Sequence, residues 1–231
     1  MRPIDTSLAE WKQALCTSLD LAGLSARNEV AHKWKAPYRS LALREGTAWR
    51  TQDLLSQSLI LHDMDHLLGA RILLRSAFET VAVLVYLNQL TRKVLLGELD
   101  FHEFSAKTQS LLLGSRDGLT PEISLNIVTI LQKCEARYPG INTLYATLSE
   151  SAHPNYEGTS VGYSTIDRAN HVTSFSNKWR SMYGAHHIDL MDTCVLTFFA
   201  EYNDEWQDAF EKLEQWIVEN DDRLESTKSG A

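Results

Sequence analysis

The sequence has few of the residues that mark secreted, zinc-binding or membrane-spanning proteins. Its 231 residues include three cysteines, Cys16, Cys134 and Cys194, which are too few and too scattered for a zinc pattern or a disulfide framework. The longest apolar run, around residues 77–87, is too short to span a bilayer. The first residues, Met-Arg-Pro-Ile-Asp-Thr-Ser, lack the apolar core of a signal peptide. We therefore expect a cytoplasmic protein without a membrane partner.

The sequence also lacks the motifs of several enzyme classes. It contains no glycine-rich phosphate loop and no Cys–His pairing. Gly158–Gly162 match the letters of Gly-x-Ser-x-Gly, but they lie in a segment without helical period, whereas a nucleophile elbow joins a strand to a helix. Nucleotide-dependent transfer and acyl-enzyme chemistry therefore have no support. Apolar residues at 44% and charged residues at 23% are ordinary values for a globular protein. We expect one domain over residues 1–225, a flexible tail over residues 226–231, and no cofactor.

The spacing of apolar residues predicts helices along most of the chain, and the fold class is therefore predicted to be all-α. Residues 23–46 contain Gly23, Pro37 and Gly46, so only short helical pieces are expected there. Residues 157–176 lack helical period and predict a loop or a small hairpin. The predicted helices cover residues 5–22, 47–62, 66–96, 101–113, 120–139, 141–153 and 185–223.

Charge is unevenly distributed along the chain, although the net charge is −8. The segment from Arg27 to Arg50 has six basic residues against two acidic ones, with three aromatic residues among them, whereas residues 201–225 have ten acidic residues against two basic ones. A basic, aromatic segment can hold a phosphate backbone and stack single-stranded bases, so RNA is the expected partner. The predicted RNA-binding residues are Asn28, Lys33, Trp34, Lys35 and Arg39.

The stretch Arg27-Asn28-Glu29-Val30-Ala31-His32 lies in this basic segment. A histidine can exchange a proton with a ribose 2′-hydroxyl or a leaving oxygen, and a guanidinium can hold the phosphate charge, so the pair suits metal-free RNA cleavage. In one helix, residues five apart lie about 140° apart, so the two side chains would converge only by leaning toward each other. The stretch resembles the R-x(4–6)-H motif of the HEPN superfamily of helical proteins.

The most apolar predicted helix carries charged residues. Arg71, Arg75 and Glu79 follow one another at i,i+4 spacing between apolar residues. Because an isolated buried charge costs several kcal/mol, Arg75 and Glu79 are predicted to be buried and paired, in one interpretation fixing the helix register. In the other interpretation, Arg75 lines a polar pocket.

Two blocks of the sequence resemble uncharacterised bacterial proteins of the DUF5677 type, which are generally regarded as related to HEPN domains. The block Gly69–Glu79, followed by Tyr86-Leu87, is similar to the A-x-x-L-x-R-S-A-x-E helix of that family, and the block Leu148–Tyr156 is similar to its late S-x-x-x-H-P segment. The resemblance covers about residues 47–165. It implies a HEPN-like helix bundle, often a homodimer, and by wider kinship a toxin–antitoxin or phage-defence (antiviral) ribonuclease with an antitoxin or defence partner protein.

The position of the arginine–histidine motif differs from the HEPN pattern, in which it lies on a late helix. In this chain the late position holds His153, and the residue five before it is Leu148 rather than arginine. Either the late site is degenerate, or His153 takes its guanidinium from Arg75, or Arg27 and His32 form the site. The candidate catalytic residues are Arg27, His32, His153, Arg75 and Glu79.

The leading hypothesis is a HEPN-like RNA-binding protein with metal-independent endoribonuclease chemistry, and it needs no metal. One alternative is a non-catalytic helical interaction module with a degenerate HEPN-like fold. The other is a metal-dependent HD-type phosphohydrolase, because histidines and aspartates recur in an order that loosely resembles that class. The residues of this second alternative are His32, His62, Asp63, Asp65, His66, His186, His187, Asp189 and Asp192.

Overall fold

The structure, a computed structural model, describes residues 3–228 and is almost entirely helical over that range. The predicted all-α fold class is confirmed. The α-helices are α1 (Pro3–Ala14), α2 (Leu21–Arg27), α3 (Glu29–His32), α4 (Lys35–Asp63), α5 (Leu67–Leu95), α6 (Phe101–Leu113), α7 (Ile127–Cys134), α8 (Ile141–Ala152), α9 (Trp179–Phe199) and α10 (Trp206–Ser226), with π-helical segments at Tyr156–Val161 and Ala200–Glu205.

The predicted hairpin is present between α8 and α9. Strands β1 (Ser164–Asp167) and β2 (Val172–Phe175) pair antiparallel, with Ser164 opposite Phe175 and Asp167 opposite Val172. His171, immediately before β2, has a positive φ of 53°. The two strands are the whole sheet within the described residues.

The chain forms two compact units, each assembled from three separate segments. Unit 1 consists of Met1–Ala14, Trp49–Val81 and Cys134–Thr197. Unit 2 consists of Leu15–Ala48, Ala82–Lys133 and Phe198–Ala231. The expectation of one domain over residues 1–225 stays a prediction. Of the expected tail, Ser226 is the last residue of α10, and residues 229–231 lie outside the described range.

Helix α5 supplies core residues to both units, in agreement with its apolar sequence. In unit 1 its buried side chains include Leu74 and Phe78, and in unit 2 they include Leu84 and Leu87. Helix α5 has buried residues on nearly every turn, because apolar residues cover most of its circumference. No helix of the described residues is long and apolar enough to cross a membrane.

The prediction of only short helical pieces over residues 23–46 was wrong in its second half. Helix α4 begins at Lys35 and continues through Pro37 and Gly46. Pro37 lies in the first turn, where a backbone N–H has no helical partner to lose, so proline is tolerated there. An exposed glycine inside a helix costs only about 1 kcal/mol, which the packing of a 29-residue helix offsets.

Two other predicted helix boundaries also differ from the structure. Helix α1 ends at Ala14, and Asp20 starts α2 by accepting a hydrogen bond from the Gly23 N–H. The helix predicted from Thr120 is shorter, since the Thr120 hydroxyl bonds the Leu113 carbonyl within a loop, and α7 begins only at Ile127.

The predicted closing helix over residues 185–223 is interrupted by a π-helical segment. The Asn88 side-chain N–H donates both to the backbone carbonyl of Glu201, at 3.0 Å, and to its buried carboxylate, at 2.7 Å. A side-chain donor inserted at a helix carbonyl is a common cause of such breaks in the hydrogen-bond ladder.

Gly46→Ala is expected to raise the free energy of unfolding by about 1 kcal/mol, because alanine restricts the unfolded chain and favours helix. A Cβ at Gly46 would meet no heavy atom within 4 Å. Gly97→Ala is the contrasting variant in the same unit: its site is equally open, but its φ of +72° disfavours any side chain. Urea unfolding should show a higher free energy of unfolding for Gly46→Ala and a lower one for Gly97→Ala. Equal destabilisation by the two substitutions would contradict the helical assignment at Gly46.

Candidate functional site

Arg27 and His32 do not share one helix. Arg27 is the last residue of α2 and His32 is the last residue of the four-residue α3. Asn28 joins the two helices: its backbone N–H bonds the Leu24 carbonyl, and its side-chain oxygen accepts from the Ala31 N–H at 2.9 Å. Because the chain turns at Asn28 with φ −152° and ψ 89°, the 140° separation of a continuous helix does not apply.

Arg27 and His32 converge on one carboxylate. The Arg27 guanidinium donates to both oxygens of Glu214 on α10, and the His32 Nε2 lies 2.6 Å from the Glu214 Oε1. The hydrogen bond to Glu214 raises the pKa of Arg27, so the guanidinium is a fixed cation. The Arg27 side chain is 53% exposed, whereas that of His32 is only 3% exposed. The two side chains therefore bind a single carboxylate, Arg27 from the surface and His32 from a buried position.

The same face of α10 engages the next two residues of the basic segment. The Lys33 ammonium bonds Asp221 at 2.6 Å and Glu225 at 2.9 Å, and these hydrogen bonds lower the pKa values of both carboxylates. The Trp34 indole N–H donates to Asp221 at 3.0 Å, and its ring packs edge-on against Phe101. Trp34 is a core residue, so the expectation that it stacks RNA bases was wrong.

The remaining predicted RNA-binding residues are more accessible. Lys35 is exposed, and Arg39 is half-buried with its guanidinium 3.3 Å from the Ser105 hydroxyl. Burial lowers the pKa of Arg39. Tyr38, between them, is an exposed aromatic residue of the same segment. A cationic strip therefore persists at Lys35 and Arg39 beside the paired residues.

Sequence reasoning missed Glu214, Asp221 and Glu225 as members of the site. The acidity of the C-terminal segment was evident, but not which acids face the basic segment. At 100° per residue, positions 214, 221 and 225 fall within about 40° of one another on a helix. This stripe, which we call the acidic stripe of α10, was the available signal.

A cleft of about 280 Å³ adjoins Arg27 within unit 2. Arg44 also lines it, with its guanidinium carbon 3.5 Å from the centre of the Tyr202 ring and 4.5 Å from that of Trp206. Arg44 is paired with Glu45 and donates to the Tyr202 carbonyl at 3.2 Å. The cleft thus presents a second, aromatic-backed guanidinium next to the Arg27 side chain.

The other predicted residues belong to unit 1, where Arg75 and Glu79 are paired as expected. Their charged groups are 3.2 Å apart, and the Tyr145 hydroxyl accepts from Arg75 at 2.7 Å and donates to Glu79 at 2.9 Å. Each side chain is 25% exposed, so the expectation that they are buried was wrong. The pair joins α5 to α8 at the edge of the unit.

The buried arginine of this helix is instead Arg71, which is 1% exposed. Its Nε donates to the Ser151 hydroxyl at 2.8 Å, an η-nitrogen donates to the Thr147 carbonyl at 3.2 Å, and its guanidinium lies 3.7 Å from the Tyr183 ring centre. The Ser151 hydroxyl in turn donates to Glu157 at 2.9 Å. Burial lowers the pKa of Arg71, while the nearby Tyr183 and Glu157 oppose that shift. A neutral hydroxyl therefore links the buried cation to a carboxylate.

His153 follows α8 and is exposed. Its backbone N–H bonds the Ser149 carbonyl, and its own carbonyl accepts from the Asn155 N–H. Within the described residues, Arg75 bonds Tyr145 and Glu79, and no hydrogen bond joins it to His153. The structure does not bring these two candidate catalytic residues together.

The histidines of the HD-type alternative are distributed over both units, with His32 in unit 2 and His62 and His187 in unit 1. The His62 and His187 rings stack at 5.4 Å with an interplanar angle of 9°. The Ser58 hydroxyl donates to the Ala70 carbonyl and lies 2.9 Å from the His187 Nε2. No group of three or more His, Cys, Asp or Glu side chains in residues 3–228 is arranged to hold a metal ion.

Comparison of this chain with protein-family models, with curated proteins and with solved structures gives no match.

Ser151→Ala is expected to lower the free energy of unfolding by about 1–3 kcal/mol, because it leaves the buried Nε of Arg71 without an acceptor. Glu79→Ala should cost less, on the order of 1 kcal/mol, since its ion pair is partly solvated. Urea unfolding of both variants tests this order. A larger loss of stability for Glu79→Ala would show that the ion pair of Arg75 contributes more to stability than the hydrogen bonds of Arg71.

Stability should also fall with acid because of His187. Burial, together with the electrostatic effect of His62, Arg71 and Arg180, lowers its pKa from 6.5 to about 3. The unfolded chain therefore binds a proton over a pH range in which the folded chain does not, and the unfolded state gains as pH falls. Between pH 6.5 and pH 5 this site should remove about 1.5 kcal/mol of stability.

His187→Gln, which keeps a donor toward Ser58, should remove that part of the pH dependence. The neighbouring and exposed His186 supplies the matched control, His186→Gln. Urea unfolding at several pH values measures the slope, and equal slopes for the two variants would show that folding does not lower the pKa of His187.

Proposed function

We propose that the protein is a HEPN-like RNA-binding protein in which Arg27 and His32 form an oxyanion site capable of metal-independent RNA cleavage. The supporting observation is the convergence of a guanidinium and an imidazole on one carboxylate, with the His32 Nε2 2.6 Å from the Glu214 Oε1. A phosphate is the other common oxyanion that such a pair holds. Lys35 and Arg39, a few residues further along the chain, add positive charge that suits a phosphate backbone.

The chemistry needs only these two side chains. With a phosphate in place of the Glu214 carboxylate, Arg27 neutralises the charge that grows on the phosphate oxygens. The His32 imidazole takes the proton of the ribose 2′-hydroxyl, the 2′-oxygen forms a bond to phosphorus, and the bond from phosphorus to the 5′-oxygen breaks. The imidazolium returns the proton to the 5′-oxygen. The products are a 2′,3′-cyclic phosphate and a 5′-hydroxyl.

The resemblance to DUF5677-type proteins supports the HEPN-like part of the proposal. Its two sequence blocks meet in unit 1, where Arg71 of the first block donates to Ser151 of the second. We extend the proposal to the properties that the resemblance implies, namely a cytoplasmic homodimer with an antitoxin or phage-defence partner. Size-exclusion chromatography with light scattering would test the dimer directly.

A non-catalytic interaction module is the second candidate, and the burial of His32 favours it. A side chain that is 3% exposed and bonded through Nε2 does not reach a substrate unless Glu214 gives way. In this alternative, Glu214 with Arg27 and His32 is a structural link between α10 and the short helices α2 and α3.

Cleavage of single-stranded RNA should persist in excess chelator, since neither residue relies on a Lewis acid. His32→Gln should lower the cleavage rate by a factor of about 100 or more while RNA binding stays within a few-fold, because the neighbouring cations carry the binding. Product analysis should find the 2′,3′-cyclic phosphate.

The exposed His153 provides the comparison histidine. His153→Gln should cut RNA as wild type does, and loss of cleavage only in that variant would move the site to unit 1. If neither wild type nor Glu214→Gln binds or cuts RNA at low salt, the interaction module is the correct function. Activity that disappears in chelator and returns with manganese would favour the HD-type alternative.

A further inference from the structure

We infer that the acidic stripe of α10, Glu214 with Asp221 and Glu225, competes with RNA for the phosphate-binding side chains of this site. By bonding these side chains within the same chain, the stripe lowers the affinity for RNA. The inference rests on the proposed function, and it concerns regulation of the same site. It requires no other chain, because both sides of the contact belong to unit 2.

The first reason is that the stripe meets the basic segment at Arg27, His32 and Lys33. Glu214 accepts from Arg27 and lies 2.6 Å from the His32 Nε2, and seven residues further along α10 Asp221 bonds Lys33. Seven residues of helix rise by about 10 Å, so the carboxylates form a spaced row of negative charge rather than a single ion pair. Such a row can replace non-adjacent phosphates of a nucleic-acid strand.

The second reason is that the occupied groups are those a phosphate would use. One η-nitrogen of the Arg27 guanidinium donates to both Glu214 oxygens, and guanidinium N–H groups donate to phosphate oxygens in the same way. The hydrogen bonds that raise the pKa of Lys33 come from Asp221 and Glu225. While these carboxylates are in place, Arg27 and Lys33 release fewer counterions from an RNA backbone, and affinity is lower than the local basic charge implies.

The third reason is that RNA phosphates can displace the carboxylate side chains of the stripe without moving helix α10. The helix buries Phe210, Leu213 and Ile217 in unit 2, so its displacement would expose a large apolar area. Rotation of Glu214 and Asp221 away from the cations requires no such exposure, since Arg27 and Lys33 are themselves partly open to solvent. RNA therefore gains access by exchange of one anion for another.

The experiment compares two charge-matched double variants of the full chain. Glu214→Gln with Asp221→Asn, the stripe variant, neutralises two of the three carboxylates of the stripe and keeps the size of both side chains. Glu219→Gln with Asp222→Asn removes the same charge from exposed positions of the same helix that do not bond the basic segment. The probe is a fluorescent 2′-O-methyl oligouridylate, which binds as RNA does but is not cut, because its 2′-oxygens are blocked.

The stripe variant should bind this probe about tenfold more tightly than wild type at low salt. The slope of log affinity against log salt should become steeper by about two, one unit for each cation released to a phosphate. The control variant should stay within about threefold of wild type, with an unchanged slope. Asp221→Asn alone, at a partly exposed position, should give part of the gain in affinity. This single variant still tests the inference if the double variant does not fold.

Three results would overturn the inference. Equal affinity for wild type and the stripe variant would show that the carboxylates do not compete, with the proposed function left standing. Equal gains for the stripe and control variants would assign the effect to net charge alone. Absence of binding by every protein would remove the proposed function together with this regulation of it.

Discussion

One carboxylate fixes the N-terminal part of unit 2. Glu214 is 9% exposed as a side chain, and an anion at that burial needs charged or strongly polar donors to offset its loss of hydration. Arg27 and His32 are those donors, and they stand at the ends of helices of seven and four residues. Helices of this length are not stable alone in water. The arrangement of α2 and α3 therefore depends on their shared bond to α10.

Sequence periodicity predicted the fold well where apolar residues alone decide it. Helices α5, α6 and α8 lie within one residue of their expected bounds because their apolar faces are continuous. The prediction failed where proline and glycine were taken to mark the ends or starts of helices. Pro37 and Gly46 lie inside α4, and Thr120-Pro121 lies in a loop that the Thr120 hydroxyl closes. The break after α9 depends on Asn88, more than a hundred residues earlier, which no local window detects.

Only the part of the candidate site that is local in sequence could be predicted. Arg27 and His32 are close in sequence and chemically distinctive, so the motif revealed them, whereas Glu214 is one of ten acids in its segment. The basic segment and the acidic segment were treated as separate surfaces, and an external partner was assigned to the basic one. The structure pairs them with each other at Glu214, Asp221 and Glu225. Local charge along a chain indicates a partner only after intramolecular neutralisation is counted.

The acidic stripe therefore has two roles that oppose each other. Its carboxylates stabilise unit 2 by holding Arg27, His32 and Lys33, and by the same bonds they withdraw these groups from a phosphate ligand. Since one set of hydrogen bonds carries both effects, a change that favours ligand binding must lower the stability of the ligand-free protein. Trade-offs of this kind are common at functional sites. In this protein the trade-off is electrostatic, so ionic strength acts on both sides of it.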